Sequence, residues 1–270
     1  MVRELCKEVG VSESGYYKFK KSEDSGKEKD EDLYEEIKKL KAGFKASYGY
    51  RKVGFEINEG REAKINHKKI YRVMVKYNLL SKIRRKKSSN YMNFEERFIN
   101  IYENKLNRKF EQEEKNKVWL TDVTEYKSKE GVLYLSALID CYRRRLVSYK
   151  YSTNNNVNLV LETVRAALKQ KQKGKETILH SDRAFQYTGM AYTKEAQDNE
   201  IEISMSEAGE PKDNAPMESF FSSLKLECLY ARKPKTLQET KDLIDEYAKF
   251  YNNQRVILKY RGSPEQIKSY

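Results

Sequence analysis

Three acidic residues stand where a solvated charge is not normally placed. Asp122 lies midway in the run VWLTDVTEYK, among Trp119, Leu120, Val123 and Tyr126, and Asp182 closes the apolar run TILHSD. A carboxylate within an apolar strand costs free energy unless a partner or a metal compensates it. The third acid, Glu218, falls in SEAGEPKDNAPMESFFSSLKLE (residues 206–227), where a Gly/Pro/Asn/Asp run gives way to a helical pattern. Asp213, Asn214 and Pro216 are start signals, because Asp and Asn cap free N–H groups and Pro is tolerated only in a first turn. Phe220, Phe221 and Leu224 then form an apolar stripe, and Glu218, Phe221 and Lys225 share a face at i, i+3, i+7 spacing. Taken alone, this segment also reads as an amphipathic surface helix with solvated charges. Three oxygen donors with little His or Cys nearby suit Mg²⁺ or Mn²⁺, which prefer hard ligands and keep waters. Two such ions can activate an attacking oxygen and stabilise a leaving one in phosphodiester chemistry. With 41 acidic residues in the chain, however, many triplets could be picked on spacing alone.

The elements that must position these acids begin at Lys117. VWLTDVTEYK, VLYLSALIDC and RRLVSYKYST are three β-rich runs separated by turns at 128–131 and 142–145, a meander. Val157 to Leu168 has helical periodicity, TILHSD is a short buried strand, residues 192–198 a helix and IEISMS another strand. The helix carrying Glu218 and a long helix over Leu237–Tyr251 follow. Three strands in series and then alternating helices and strands predict a mixed α/β layer architecture.

Upstream the chain reads as helical. Residues 2–20 outline helix, Gly10 turn, helix, with Ser12 as a cap; a helix-turn-helix and a plain helical hairpin fit this pattern equally. Residues 21–32, rich in Lys, Glu, Asp and Ser, read as a linker. Helices follow to Leu40, near Tyr50–Asn58 and over about His67–Tyr77, the last capped by Asn66. On that third helix Lys68, Lys69, Arg72 and Lys76 take one side, and Ile70, Val73, Met74 and Tyr77 the other. One face for a core and one for phosphate is what a DNA-reading helix requires, although a merely solvated basic face gives the same pattern. The segment containing Arg84, Arg85, Lys86 and Lys87 has no periodicity and reads as a phosphate-tracking arm. The expected division is 1–28 a helix-turn-helix-like fragment and linker, 29–94 a basic helical DNA-binding domain, 95–116 a linker, and 117–270 the α/β domain.

Charge supports a polyanionic partner. The net charge is +13, and between Lys41 and Phe94 fifteen Lys and Arg face only three acids, so one stretch carries nearly the whole excess. Cys6, Cys141 and Cys228 are too far apart for a CxxC pair and suggest reduced thiols. With His67 and His180 the only histidines, a two-His, two-Cys zinc module has no ligand set. No apolar run approaches a membrane span and no secretory signal opens the chain.

From Trp119 onward the chain resembles the DDE transposase and retroviral-integrase superfamily, and within it the downstream-frame transposase of the IS three family of bacterial insertion sequences. WLTDVTEY, LYLSALID, LHSDRAFQYT, SMSEAGEPKDNAPMESFFSSLKLE, YNNQR and SPEQ carry the likeness over 117–265. LCKEVGVSESGYYKF and SYGYRKVGFEINEGREAKINHKKIYRVMVKYNLL are similar to the family's N-terminal helical segments. The resemblance implies an RNase H-like integrase core, with a mixed five-stranded sheet and flanking helices, preceded by all-α helix-turn-helix-like segments. It implies that Asp122, Asp182 and Glu218 are the catalytic triad and hold Mg²⁺ or Mn²⁺ as two ions; 35 residues separate the last two. Lys225, seven residues past the Glu, matches a basic position that contacts DNA near the active site. His180 matches a family position two residues before the second Asp, either an active-site neighbour or a buried strand residue. Arg255 and Tyr251–Asn252 match the tail motif, as helix packing or as DNA contacts.

The implied activity is DNA strand cleavage followed by strand transfer, in the bacterial cytoplasm on nucleoid DNA. The implied partners are double-stranded DNA, further copies of the chain, and an upstream-frame protein or a frameshift fusion with it. Two positions depart from the family pattern. Ala184 replaces the Gly of HSDxGxQY, a cost of about 1 kcal/mol if that Gly takes positive φ, and Asn116 or Lys117 stands where a Pro usually precedes the Trp. The alternative is a catalytically inactive or domesticated DNA-binding remnant.

Overall fold

The computed structural model describes residues 2–81, 100–171, 174 and 176–266, with side chains 19–29 excepted. They fall into two compact units, 1–83 and 84–270. The basic arm with Arg84, Arg85, Lys86 and Lys87 lies outside the described residues.

The first unit is helical. A short α1 (Val2–Glu8) turns at Gly10, whose φ of 70° suits glycine, into α2 (Glu13–Leu40). Ser12 caps α2, its side chain accepting from the Gly15 N–H at 3.1 Å. Residues 21–32, expected as a linker, are continuous helix within the 28 residues of α2. The reason is that Lys, Glu and Asp are adequate helix formers, and charges four apart support a helix even without an apolar stripe. The remaining helices are α3 (Tyr50–Ile57) and α4 (His67–Lys76). Ile37, Tyr48, Val53, Ile57, Ile70, Val73 and Met74 are buried and make the core of this unit. Asn66 caps α4 through the Lys68 N–H at 2.9 Å.

The second unit is α/β. Its strands are β1 (Val118–Lys127), β2 (Val132–Asp140), β3 (Arg145–Ser152), β4 (Thr177–Ser181) and β5 (Ile201–Met205). They form one mixed sheet in the order β3-β2-β1-β4-β5. The meander pairs antiparallel, whereas β4 adds parallel to β1 and β5 parallel to β4. The helices are α5 (Val157–Leu168), α6 (Phe185–Thr188), α7 (Met190–Asp198), α8 (Ala215–Leu224), α9 (Tyr230–Arg232) and α10 (Leu237–Asn253), with a π turn at Lys225–Leu229 between α8 and α9. Trp119, Leu138, Val160, Val164, Leu179, Tyr187, Tyr192 and Met205 share one buried core between sheet and helices. Apolar runs on β1, β2 and β4 are what a sheet covered on both faces demands.

Asn116, at the position where the family pattern has Pro nearby, has φ of 64°, which a proline ring locked near −65° could not adopt. Its side chain accepts from Trp119 Nε1 at 3.2 Å, fixing the indole at the start of β1. The stretch expected as a linker to residue 116 is packed on this unit from residue 100. Tyr102 donates to Thr193 Oγ1 at 3.1 Å, the Lys105 N–H to Ser204 Oγ at 3.0 Å, and Leu106 is buried. Cys6, Cys141 and Cys228 are buried free thiols. Among the described residues no helix is long and apolar enough to cross a membrane.

Candidate active site

The site is built at a split in the sheet. Pairing between β1 and β4 ends at Leu120 with His180. Beyond it β1 continues against β2, while β4 stops at Ser181. Asp122 therefore emerges from one side of the split and Asp182 from the other. Such a point, outside the carboxyl ends of parallel strands, is where open α/β sheets place ligands. Asp122, Asp182 and Glu218, with Arg183, Ser206, Glu207, Glu210 and Asn214, line one open pocket of about 360 Å³.

Electrostatics ties the acids together. Burial pushes the Asp122 carboxyl well above the usual carboxylate range, and the charges of Asp182 and Glu218 push it further. The Val123 N–H, which donates to Asp122 Oδ1 at 2.7 Å, and the Lys225 ammonium pull the other way. Asp182 is oriented by the Ala184 N–H at 3.0 Å. Ala184 itself has φ of −67°, so the substitution for glycine carries no left-handed strain and the expected cost of about 1 kcal/mol does not arise. The donor set is the hard-oxygen kind that Mg²⁺ or Mn²⁺ takes, and a cation would relieve the repulsion at Asp122. As the side chains stand, though, no three His, Cys, Asp or Glu among the described residues are gathered into a metal-holding group.

Lys225 opens the π turn and is half-buried; desolvation lowers its pKa, while Glu125 and Asp122 oppose that shift. It lies on the acids' side electrostatically but is not part of the pocket lining. His180 is buried within β4, its ring nitrogens 2.9 Å from Ser204 Oγ and 3.0 Å from Ser206 Oγ. Burial pushes its pKa down to about 4, so the ring is neutral at pH 7. It belongs to the wall behind the pocket rather than to its lining.

The start signals before α8 are used differently from capping. Asn214 occupies the N-cap position without a side-chain cap bond, and Pro216 sits in the first turn. Asp213, also buried, instead accepts from Arg108 Nε at 2.6 Å, Asn104 Nδ2 at 2.9 Å and the Glu207 N–H at 3.1 Å. Burial alone would raise its pKa, but these donors, Arg108 foremost, hold it below the usual range. Arg108 also reaches Glu210 at 2.9 Å, and Arg183 bonds the Ser206 carbonyl at 2.8 Å and Glu207 at 2.6 Å. Two arginines thus pin the acidic loop at the mouth of the pocket. Neither was legible as a site residue, since no spacing rule links residue 108 to residue 213.

In the first unit, Lys68, Lys69, Arg72 and Lys76 do share one side of α4. Three of them converge on a single buried carboxylate of α2: Arg72 Nη2 lies 2.8 and 3.1 Å from the Asp30 oxygens, Lys76 at 3.7 Å and Lys69 at 3.9 Å. Lys68 stays exposed.

Comparison with known proteins assigns the class. Residues 112–211 and 199–256 match integrase core domains, and residues 27–87 match an HTH-like domain. The second unit is thus an integrase core. The chain is 32% identical over 260 residues to the protein named "Putative transposase InsK for insertion sequence element IS150" of Escherichia coli K12, covering 96% of this chain and 90% of that protein. It is 33% identical over 130 residues to transposase InsF of IS3A from the same organism, covering 48% and 45%. Among solved structures, the magnesium complex of the HTLV-2 integrase catalytic core domain in its dimeric form aligns with TM-score 0.43 at 17% identity, over 53% of this chain and 91% of that one. The chain belongs to the IS three family of insertion-sequence transposases.

Proposed function

We propose that this protein is the DNA strand-transferring enzyme of its insertion sequence. Water cleaves the phosphodiester at the element's end, freeing a 3′ hydroxyl, and that hydroxyl attacks a second phosphodiester, joining to its phosphate and releasing the 3′ hydroxyl of the attacked strand. The observation that supports this reading is the gathering of Asp122, Asp182 and Glu218 around one pocket at the split in the sheet, with Asp122 feeling the charge of the other two. These three side chains would hold Mg²⁺ or Mn²⁺. A pair of such ions supplies activation of the attacking oxygen and stabilisation of the leaving one.

The chain's own residues supply the rest. Lys225 keeps a positive charge close to Asp122 for a DNA phosphate, and Arg183 and Arg108 fix the acidic loop so that Glu207 and Glu210 are neutralised where DNA must approach. Lys68, Lys69, Arg72 and Lys76 on α4 contact phosphates of double-stranded DNA, as does the arm with Arg84, Arg85, Lys86 and Lys87. Residues 29–94 carry the DNA-binding part and 117–270 the catalytic part, with residues 100–116 packed on the latter. Copies of the chain assemble on DNA in the bacterial cytoplasm, with an upstream-frame protein or fusion supplying further contacts.

The test is strand cleavage of element-end DNA with Mg²⁺, comparing the parent with Asp122→Ala. The parent should nick and join, and the variant should not. Equal nicking by both proteins would refute the assignment. End-specific binding without any cleavage would favour the alternative, a DNA-binding remnant.

A further inference from the structure

Asn214 holds an unusual place in the pocket. It is 5% exposed and lines the cavity with the three acids, and its Nδ2 donates to the Thr121 carbonyl at 3.3 Å. Thr121 immediately precedes Asp122. The Ile178 N–H bonds to the Lys117 carbonyl, so by the alternation of a strand the carbonyls of 117, 119 and 121 face β4. The β1–β4 ladder ends at Leu120, which leaves the next carbonyl on that side, Thr121, without a strand to receive it. Asn214 supplies the missing donor from the N-terminus of α8. Its amide therefore bridges the split in the sheet at the point where Asp122 and Asp182 part.

The bridge has a direct consequence for Glu218. Asn214 is the N-cap of α8, and Glu218 follows four residues later, one turn on and on the same side of the helix. Fixing Asn214 to Thr121 thereby sets the register of Glu218 against Asp122. The other half of the amide is left unused. Thr121 O accepts only a donor, so Nδ2 faces the strand and Oδ1 faces away, buried and with no hydrogen-bond partner among the described residues. An unsatisfied buried acceptor costs about 1–3 kcal/mol. The N-cap position offers Asn a cheaper use, bonding the N–H groups of the first turn, yet no side-chain cap bond is made. Stability of the helix end alone does not account for an Asn used in this way.

We propose that Asn214 is the positioning residue of the acidic site: it registers Glu218 against Asp122 across the split sheet, so that the three carboxylates can close on a divalent cation. This inference rests on the cleavage reading proposed above. It also fits the open arrangement of the acids, which line one pocket without forming a ready metal-holding group.

The test uses the full chain with Mn²⁺ as probe and two readouts, metal-dependent thermal stabilisation and single-turnover cleavage of element-end DNA. The parent should gain melting temperature with Mn²⁺ and cleave. Asn214→Ala should require roughly 10–100-fold more Mn²⁺ for the same stabilisation, the range found when a residue that orients metal ligands is lost. Its cleavage should fall at low Mn²⁺ and recover at high Mn²⁺, with DNA affinity unchanged. Asn214→Ser, which fits the same space but cannot span to Thr121, should behave alike and carries the test should the Ala variant fail to fold. A variant that melts lower but keeps the parental Mn²⁺ midpoint would reduce Asn214 to a structural role and overturn the proposal. A parent that neither binds Mn²⁺ nor cleaves would overturn the cleavage reading itself, and this inference with it.

Discussion

Arg255 offers the sharpest perturbation, because the tail motif left two roles open for it and the structure gives one. Its Nε and Nη2 each lie 2.8 Å from an oxygen of Glu227, and Nη2 also donates to Ser223 Oγ at 2.9 Å. Tyr247 donates to Glu227 at 2.8 Å. The two charged side chains are only 13% and 11% exposed, so solvent screens the pair little. Ser223 sits on α8 and Glu227 on the π turn that continues it, whereas Tyr247 is on α10 and Arg255 just beyond it. The pair therefore ties the Glu218 helix to the C-terminal helix. Removing one partner of such a pair leaves an uncompensated buried charge, at about 3–5 kcal/mol. For a unit of this size each kcal/mol is worth about 2–4 °C, so Glu227→Gln or Arg255→Met should lower the melting temperature by roughly 6–20 °C. The double variant Glu227→Leu/Arg255→Met should recover much of that loss, since replacing both charges by apolar groups is often neutral. Circular dichroism melts of the four proteins supply a double-mutant cycle. A phosphate contact would behave in the opposite way: Arg255→Met would leave the melt unchanged and reduce the salt dependence of DNA binding by about one ion. That pattern, or strictly additive losses in the cycle, would refute the clamp.

Two further outcomes follow from charge. The Asp122 pKa is raised on folding, so its contribution to stability is fully present below the unfolded carboxylate pKa and is lost as pH rises through the elevated folded value. Asp122→Asn should accordingly melt higher than the parent at pH 7 without divalent cations, with the gap closing toward pH 4; a pH series of melts in chelator that shows no such convergence would contradict it. On α4, Lys68→Ala should flatten the plot of log affinity against log salt by about 0.9 in a fluorescence anisotropy titration. Lys69→Ala should flatten it less, because Asp30 already offsets part of that charge. Identical slopes for parent and Lys68→Ala would remove α4 from the DNA interface.

The sequence carried the fold in its periodicities. The β-rich runs VWLTDVTEYK and VLYLSALIDC marked the first strands of the meander, and the Asn66 cap and the Ile70/Val73/Met74 stripe placed α4 to within a residue. It misread what long-range partners decide. Residues 21–32 look like a linker by composition yet continue α2, since charged residues at helical spacing need no core to remain helical. Residues 100–108 look equally unstructured, but hydrogen bonds to Ser204, Thr193 and Asp213 hold them against the sheet. The acids of the pocket were legible because a charge in an apolar strand is locally anomalous. Asp213 and Asn214 were legible only as caps. Their actual bonds, to Arg108 and to Thr121, join positions about a hundred residues apart that no local spacing connects.

That contrast says where the molecule departs from what folding alone would favour. Asp122 is held against like charges, and Asn214 buries an unpaired oxygen. Behind them Glu227 and Arg255 sit as a buried ion pair, where apolar residues would serve stability as well. Asp122 lies on β1, Asn214 at the N-cap of α8 and Glu227 on its continuation, and each hydrogen-bonds a neighbour held by its own element: Val123, Thr121 and Tyr247. Asp122 and Asn214 line the same pocket, and perturbed, imperfectly satisfied groups gathered in one cleft are what the catalytic reading proposed above expects. The four basic residues of α4 follow a milder version of the same logic. Collecting three of them on Asp30 gives up net charge, which on the reading proposed above weakens attraction to DNA, and leaves Lys68 exposed on that side.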